Sequence, residues 1–335
     1  RFKCDWSSDV CSSDLCNKLG AALLTGNTVV VKPAPTTPVA TLYLGELVRD
    51  LLPPGVLNIV TDQNDLGAVL TGHPLVRKIS FTGSTATGSK VMSSAAATLK
   101  RITLELGGND AGLVLDDCDP RTVAPRLFDA AFMNCGQVCI AMKRLYVHDS
   151  QYDAICQELA ALAEACTIGP GSDDAHRLGP VQNKAQYDKL CGLIDEARSR
   201  GRILAGGTTA DGGGYFIRPT IVADMPDDSR LVSEEQFGPI LPVIRYTDLD
   251  EVVARANNTP YGLGNSVWSN DPARAAAVAA RLDSGTVWIN QHGDFGPDIP
   301  FAGAKMSGIG VEMSALGLHE FTQSRVISRA KTVAA

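Results

Sequence analysis

Residues 77–110 read RKISFTGSTATGSKVMSSAAATLKRITLELGGND. Residues 77–81 predict a short strand, 85–97 take up helical spacing without a proline, and 102–105 return to a strand. That order is the repeating unit of a parallel sheet with helices on both faces. Between the first strand and the helix lies Gly83-Ser84-Thr85-Ala86-Thr87-Gly88. Small residues, a hydroxyl and the free N–H groups of a helix start suit a pyrophosphate. The spacing is Gly-x4-Gly rather than the dinucleotide fingerprint, and an ordinary strand–helix turn reads the same. Glu105 closes the last strand and is followed by Leu-Gly-Gly. A carboxylate among apolar neighbours titrates high, as a base that activates water must; a capping or salt-bridged glutamate would look alike.

The alternation extends both ways. Upstream, residues 28–32 predict a buried β-branched strand, 36–52 a helix stopped by Pro53-Pro54-Gly55, 56–60 a strand and 65–71 a short helix. Lys32 falls at the carboxyl end of its strand, where open α/β sheets bind ligands, although a solvated end-of-strand charge fits equally. Downstream, strands are expected at 111–115, 144–147, 243–246, 265–268 and 285–289, and helices at 122–134, 151–165, 249–257 and 272–282. Residues 205–214 are glycine-rich and read as an exposed hairpin region. Residues 324–329 read as a further strand with no partner of its own, suited to pairing with another subunit.

Asn134-Cys135-Gly136-Gln137-Val138-Cys139 follows a predicted helix, and its irregular turn can expose a thiol. Cys139 is the candidate nucleophile, against the plainer reading of a buried inert cysteine; Cys135 is a bystander. Glu234-Glu235-Gln236-Phe237-Gly238-Pro239 sets an acid and an aromatic two apart beside a glycine turn, which fits a ribose and a nicotinamide as well as a surface turn. Residues 257–263 read as a helix exit, and 300–310 as a loop packing on the catalytic lobe.

A chain of 335 residues calls for two lobes, and 44% hydrophobic with 20% charged residues is ordinary for a soluble globular protein. The net charge of -7 argues against nucleic acid or an anionic membrane as main partner, and no apolar run is long enough to span a bilayer. Of nine cysteines only Cys135 and Cys139 are close, with no second pair to complete a metal site, so reduced thiols in a cytoplasmic protein are expected and no metal. Residues 1–15, RFKCDWSSDVCSSDL, show neither apolar periodicity nor helix-start logic. They resemble a translated sequencing adapter, and the expectation is a non-native leader on a chain that begins upstream.

Taken together, GNTVVVKPAPTTP (26–38), PPGVLNIV (53–60), ISFTGSTATG (79–88), LELGGND (104–110), NCGQVC (134–139), EEQFGP (234–239), NNTPYGLG (257–264), GTVWIN (285–290) and PFAGAKMSGIG (300–310) resemble the aldehyde dehydrogenase superfamily from about residue 16 to the end. The resemblance implies an α/β fold with a Rossmann-like cofactor-binding domain, its C-terminal part at 16–108, an α/β catalytic domain at 109–315 and a tail with an oligomerisation strand at 316–335; the N-terminal part of that plan is missing. It implies Cys139 as nucleophile, Glu105 as general base, Gly83 and Ser84 around the pyrophosphate, Leu106 among the cofactor-binding residues, Lys32 at the adenosine ribose, and Glu235 with Phe237 at the nicotinamide. The implied reaction is oxidation of a small aldehyde to an acid with NAD through a thioester, in a homodimer or homotetramer.

Two departures bear on this. The family's oxyanion-binding asparagine falls in or before the suspect leader, and losing one such donor costs roughly 10²–10³ in rate, so the chain as written is expected to be impaired. Pro35 stands where many NAD-preferring members have a glutamate that repels a 2′-phosphate, so NADP use stays open. A CoA-acylating enzyme and a non-catalytic homologue are the rival readings; Glu105 speaks against the first, and both site residues against the second. Phe128, Phe132 and Phe295 suggest an apolar substrate entry or, equally, core.

Overall fold

The computed structural model describes residues 12–210 and 213–330. Helix α1 (Ser12–Leu24) comes first and begins within the stretch 1–15 expected as a leader. Its Asp14 lies in the first turn, where a negative charge suits the helix dipole, and Leu15 and Leu19 pack with Val31 in a small core. Residues 1–11 of the expected leader lie outside the described residues. Strand β1 (Val29–Val31), helix α2 (Val39–Leu47), strand β2 (Leu57–Ile59) and helix α3 (Leu66–Gly72) follow, with β1 and β2 paired in parallel. Then come β3 (Lys78–Thr82), α4 (Thr85–Ala96) and β4 (Arg101–Glu105), the unit legible in residues 77–110, with β3 and β4 parallel.

The larger layer begins at β5 (Ala111–Val114), α5 (Pro120–Phe132), β6 (Arg144–His148) and α6 (Asp149–Ala165). Helix α7 (Lys184–Arg200) and strands β7 (Arg202–Ala205) and β8 (Thr220–Ala223) were not anticipated, though Leu190, Leu193, Ile194 and Ala197 mark a helical apolar stripe behind the Asn183 cap. The short α8 (Arg230–Ser233), β9 (Ile240–Tyr246), α9 (Leu249–Asn257), β10 (Tyr261–Gly262), β11 (Gly264–Trp268), α10 (Pro272–Ala279) and β12 (Thr286–Ile289) complete the run. A seven-stranded sheet results, in the order β12-β11-β5-β6-β9-β8-β7, parallel except for the β7–β8 pair. That antiparallel pair flanks the glycine-rich segment expected to hold a hairpin. Alternate residues of the central strands face two cores: Val114 joins one with α5 and α6, while Leu113 and Leu115 join the other with α7, α9 and α10. Burial of both faces is what a continuous apolar strand requires.

The segment 300–310 packs on the catalytic part through β13 (Ala304–Lys305), which pairs antiparallel with β10, and it also reaches the first lobe's sheet, where β14 (Gly308–Ile309) pairs antiparallel with β4 and sets Gly308 opposite Glu105. After α11 (Ser314–Glu320), residues 324–329 form no strand within this chain and leave Val326 and Ile327 exposed. Among the described residues no helix is long and apolar enough to cross a membrane.

Candidate active site

The centre of the molecule is a crossing of two loops, and glycines make it possible. After β4 the chain passes Leu106-Gly107-Gly108 beneath the nucleophile loop. A Cβ on Gly108 would lie 2.9 Å from the Cys139 carbonyl oxygen, and one on Gly107 would lie 2.5 Å from Glu235 Oε2. The Leu-Gly-Gly motif therefore lets three site segments touch. On the other side, Asn134, Cys135 and Gly136 all take positive φ, and Gly136 comes so close to the Gly238 carbonyl that no side chain fits. Gln137 anchors this turn, accepting from Gln182 N–H at 2.9 Å and donating to the Pro180 carbonyl at 3.1 Å.

Cys139 and Glu105 meet here, close enough for each to shift the other's proton affinity, and Glu105 Oε1 has no hydrogen-bond partner among the described residues. Burial pushes Glu105 well above the usual carboxylate range, and the charges of Asp14 and Glu312 push the same way. Burial and the adjacent Glu105 likewise hold the Cys139 thiol well above its ordinary value, opposed by the Lys143 ammonium. A half-buried thiol touching a carboxyl of raised proton affinity can exchange a proton with it. Cys135, by contrast, is fully buried, and burial pushes its thiol up to about 12.

Behind Glu105 lies a cluster the sequence did not single out. Lys18 of α1 donates to Asp14 Oδ1 at 2.8 Å and to Glu312 Oε1 at 2.5 Å. Although burial works against the ammonium, these two carboxylates hold Lys18 above its ordinary value. Burial raises Glu312 in turn, against the pull of Lys18. Asp110, next to the nucleophile loop, is pushed up to about 7 by burial, with Lys143 opposing. His292 bonds the Ile140 carbonyl through Nε2 at 2.7 Å and Ser266 Oγ through Nδ1 at 2.9 Å, and burial drops it to about 4, so the ring is neutral near pH 7.

The expected cofactor residues divide into two groups. Glu235 is at the crossing: its Oε1 accepts from Gly108 N–H at 2.9 Å and lies 3.8 Å from Lys143 Nζ, while burial raises its carboxyl. Phe237, at positive φ, stands with its ring centroid 5.9 Å from the same ammonium. Gly83 and Ser84 are at the carboxyl end of β3, where Gly83 N–H bonds the Glu105 carbonyl and Ser84 Oγ caps α4 by accepting from Thr87 N–H at 3.3 Å. The Thr85 and Ala86 N–H groups have no partner among the described residues. Gly88 serves packing instead: a Cβ there would lie 2.5 Å from Leu106 Cδ2, so Leu106 is the floor on which α4 rests. Lys32 is on the outer edge of this lobe, paired with Asp62 Oδ1 at 3.1 Å. Phe128 and Phe132 are wholly in the core, and only Phe295 is open to solvent. No group of three or more His, Cys, Asp or Glu among the described residues could hold a metal, and the seven described cysteines are free.

The chain is similar to known proteins in sequence and in fold. Residues 13–327 match the model of the aldehyde dehydrogenase family. Aldehyde dehydrogenase LUC3 of Fusarium is 42% identical over 321 residues, covering 95% of this chain and 68% of its own length. The NAD+ complex of an aldehyde dehydrogenase from Bacillus cereus superposes with a TM-score of 0.90 at 36% identity, over 92% of this chain and 64% of that one. An NADP-dependent enzyme of E. coli gives 0.89 at 38% identity, with the same coverage. The chain thus spans about two thirds of the length of the relatives it matches, with the thiol, the carboxyl and the glycine crossing inside the matched span: it belongs to the aldehyde dehydrogenase family.

Proposed function

We propose that the protein oxidises a small aldehyde to its carboxylic acid with NAD(P)+, through a thioester on Cys139 and with Glu105 as general base. The observation that carries this reading is the placing of the Cys139 thiol beside the buried Glu105 carboxyl, whose Oε1 has no hydrogen-bond partner among the described residues. In this reading Glu105 accepts the thiol proton, and the thiolate attacks the aldehyde carbon while the carbonyl π pair moves onto oxygen. The Cys139 N–H, which has no partner among the described residues, faces that oxyanion. NAD, when bound, supplies the hydride acceptor. Glu105 gives that proton up to solvent and then takes one from the water that adds to the thioester carbon, and the Cys139 thiolate leaves with release of the acid.

The free Thr85 and Ala86 N–H groups at the start of α4 fit a pyrophosphate. Gly83, Ser84 and Leu106 would shape that subsite, Lys32 would reach the adenosine ribose, and Glu235 and Phe237 would hold the nicotinamide end. Residues 16–108 act in this reading as cofactor-binding part, 109–315 as catalytic domain, and 316–335 as the tail through which two or four copies assemble. The free cysteines favour a reducing compartment such as the cytoplasm. NAD is favoured over NADP because no arginine adjoins Pro35 in the sequence to grip a 2′-phosphate.

The test follows NADH and NADPH formation with a panel of aldehydes, with and without CoA, on this chain and on a version extended to the relatives' full length. Oxidation that is independent of CoA is expected, with Glu105→Gln losing both the burst of reduced cofactor and steady-state turnover near neutral pH. Full activity in Cys139→Ser would overturn the assignment.

A further inference from the structure

Lys143 is a buried lysine that the proposed chemistry leaves without a role. It sits four residues after Cys139, at the start of the chain's return to β6, and is 1% exposed. Its ammonium donates to the carbonyls of Val138 at 2.8 Å, Cys139 at 2.7 Å and Ala141 at 3.1 Å, which uses all three of its donors. The one carbonyl in this run that Lys143 does not take, that of Ile140, is bonded to His292. Four successive carbonyls of the nucleophile loop are therefore gathered by two side chains.

This gathering has a geometric result. A trans peptide sets the carbonyl of one residue antiparallel to the N–H of the next. With the Val138 carbonyl drawn onto Lys143, the Cys139 N–H must point the opposite way, and it donates to nothing among the described residues. A second result is electrostatic. The ammonium lies in the same buried pocket as the thiol, where a charge is weakly screened. The ionisable groups that bear on Cys139 are Glu105 from β4, Asp14 from α1, Asp110 ahead of β5, and Lys143. Lys143 is the sole cation among those four, and its nearest counter-charge is Glu235 at 3.8 Å.

We propose that Lys143 is a positioning residue for Cys139: its ammonium turns the Cys139 N–H toward an incoming carbonyl oxygen and supplies the positive charge that lets the thiol ionise beside Glu105. This rests on Cys139 being the nucleophile. It assigns to a residue four positions after the nucleophile the control of both the loop's direction and the thiol's reactivity.

The experiment measures the rate of Cys139 alkylation by iodoacetamide against pH, read by peptide mass spectrometry on the full chain, with exposed Cys16 as internal control. Lys143→Met and Lys143→Gln are compared with the unmodified chain and with Lys143→Arg, all checked for cooperative melting. Loss of an opposite charge at this range shifts a titration by about one unit or more, so the neutral variants should show the Cys139 inflection raised by that amount and the rate at pH 7.5 lowered about tenfold. Cys16 should not change, and Lys143→Arg should keep the original inflection. A neutral variant that melts normally and keeps the unmodified profile overturns the proposal. Loss of the fold in both neutral variants also overturns it, because a positioning group must be separable from the fold. The cofactor assay fails or succeeds independently: absence of aldehyde oxidation with a shifted alkylation profile would strike the proposed reaction and leave the role of Lys143 standing.

Discussion

Residues 12–108 and residues 109–322 follow the same strand–helix alternation, yet they bury their apolar residues very differently. In the first region β1 and β2 form a sheet of two, β3 and β4 gain only the short β14, and large side chains such as Leu24, Val39, Leu47, Leu51, Leu75 and Leu99 are exposed. In the second, seven strands are covered on both faces and Leu113, Leu127, Phe128, Leu145 and Leu159 lie wholly inside. Periodicity directs a segment to form a strand or a helix; how much that element stabilises the fold depends on the area it finds to cover. The site sits on the seam between the two regions, with Glu105 on the last strand of the first and Cys139 on a loop of the second.

The contrast can be broken at its strongest point first. Phe128→Ala, on the buried face of α5, should cost about 3–5 kcal/mol, the usual range for deleting a buried aromatic, and lower the urea midpoint followed by circular dichroism. At the seam, Gly136→Ala should cost roughly 1–3 kcal/mol, because a side chain at its positive φ of 70° collides with the Gly238 carbonyl. Its specific signature is altered Cys139 alkylation without a matching change at Cys16.

A smaller effect comes from pH. His292 is held at about 4 in the fold, against 6.5 for a free imidazole. Between those values the unfolded chain binds a proton that the folded chain refuses, so stability is complete above pH 6.5 and declines as pH falls toward 4. The loss should be on the order of 1–2 kcal/mol for this half-buried ring and should shrink in His292→Gln, as read by melting at pH 7 and pH 5. The smallest effect belongs to the first region: Leu47→Ala on exposed α2 should lie within about 0.5 kcal/mol of the unmodified chain. If Leu47→Ala and Phe128→Ala shifted the midpoint alike, the contrast would be void. If amides of residues 39–99 exchanged with solvent well before those of β5 and β6, it would be sharpened.

Much of this was legible beforehand, for reasons that differ by element. Residues 249–257 were read as a helix with the bounds that α9 has, because Asp248 caps it and apolar Val252, Val253 and Ala256 line one face. The strand–turn–helix–strand unit of residues 77–110 was equally open, since its signals are local. Helix α7 is harder to see in the sequence although its stripe is regular, because its polar face dominates the composition. The pairing of β14 with β4 was illegible in principle, since the partners are two hundred residues apart and each is short. The same holds for Lys18 and Glu312: nothing near either residue announces an ion pair that closes only when α1 packs by the C-terminal loop.

By itself, then, the sequence determined the alternating α/β architecture, the family, and the two groups that meet at the centre, because periodicity, turn residues and short motifs act over a few neighbours. Only the tertiary structure decided what surrounds them. Lys143 and His292 gather the carbonyls of the nucleophile loop, Glu235 folds onto Gly108, and Asp14 and Glu312 raise the proton affinity of Glu105. Electrostatic and steric effects of that kind depend on distance in space and on exclusion of water, and neither is written in the spacing of residues along a chain.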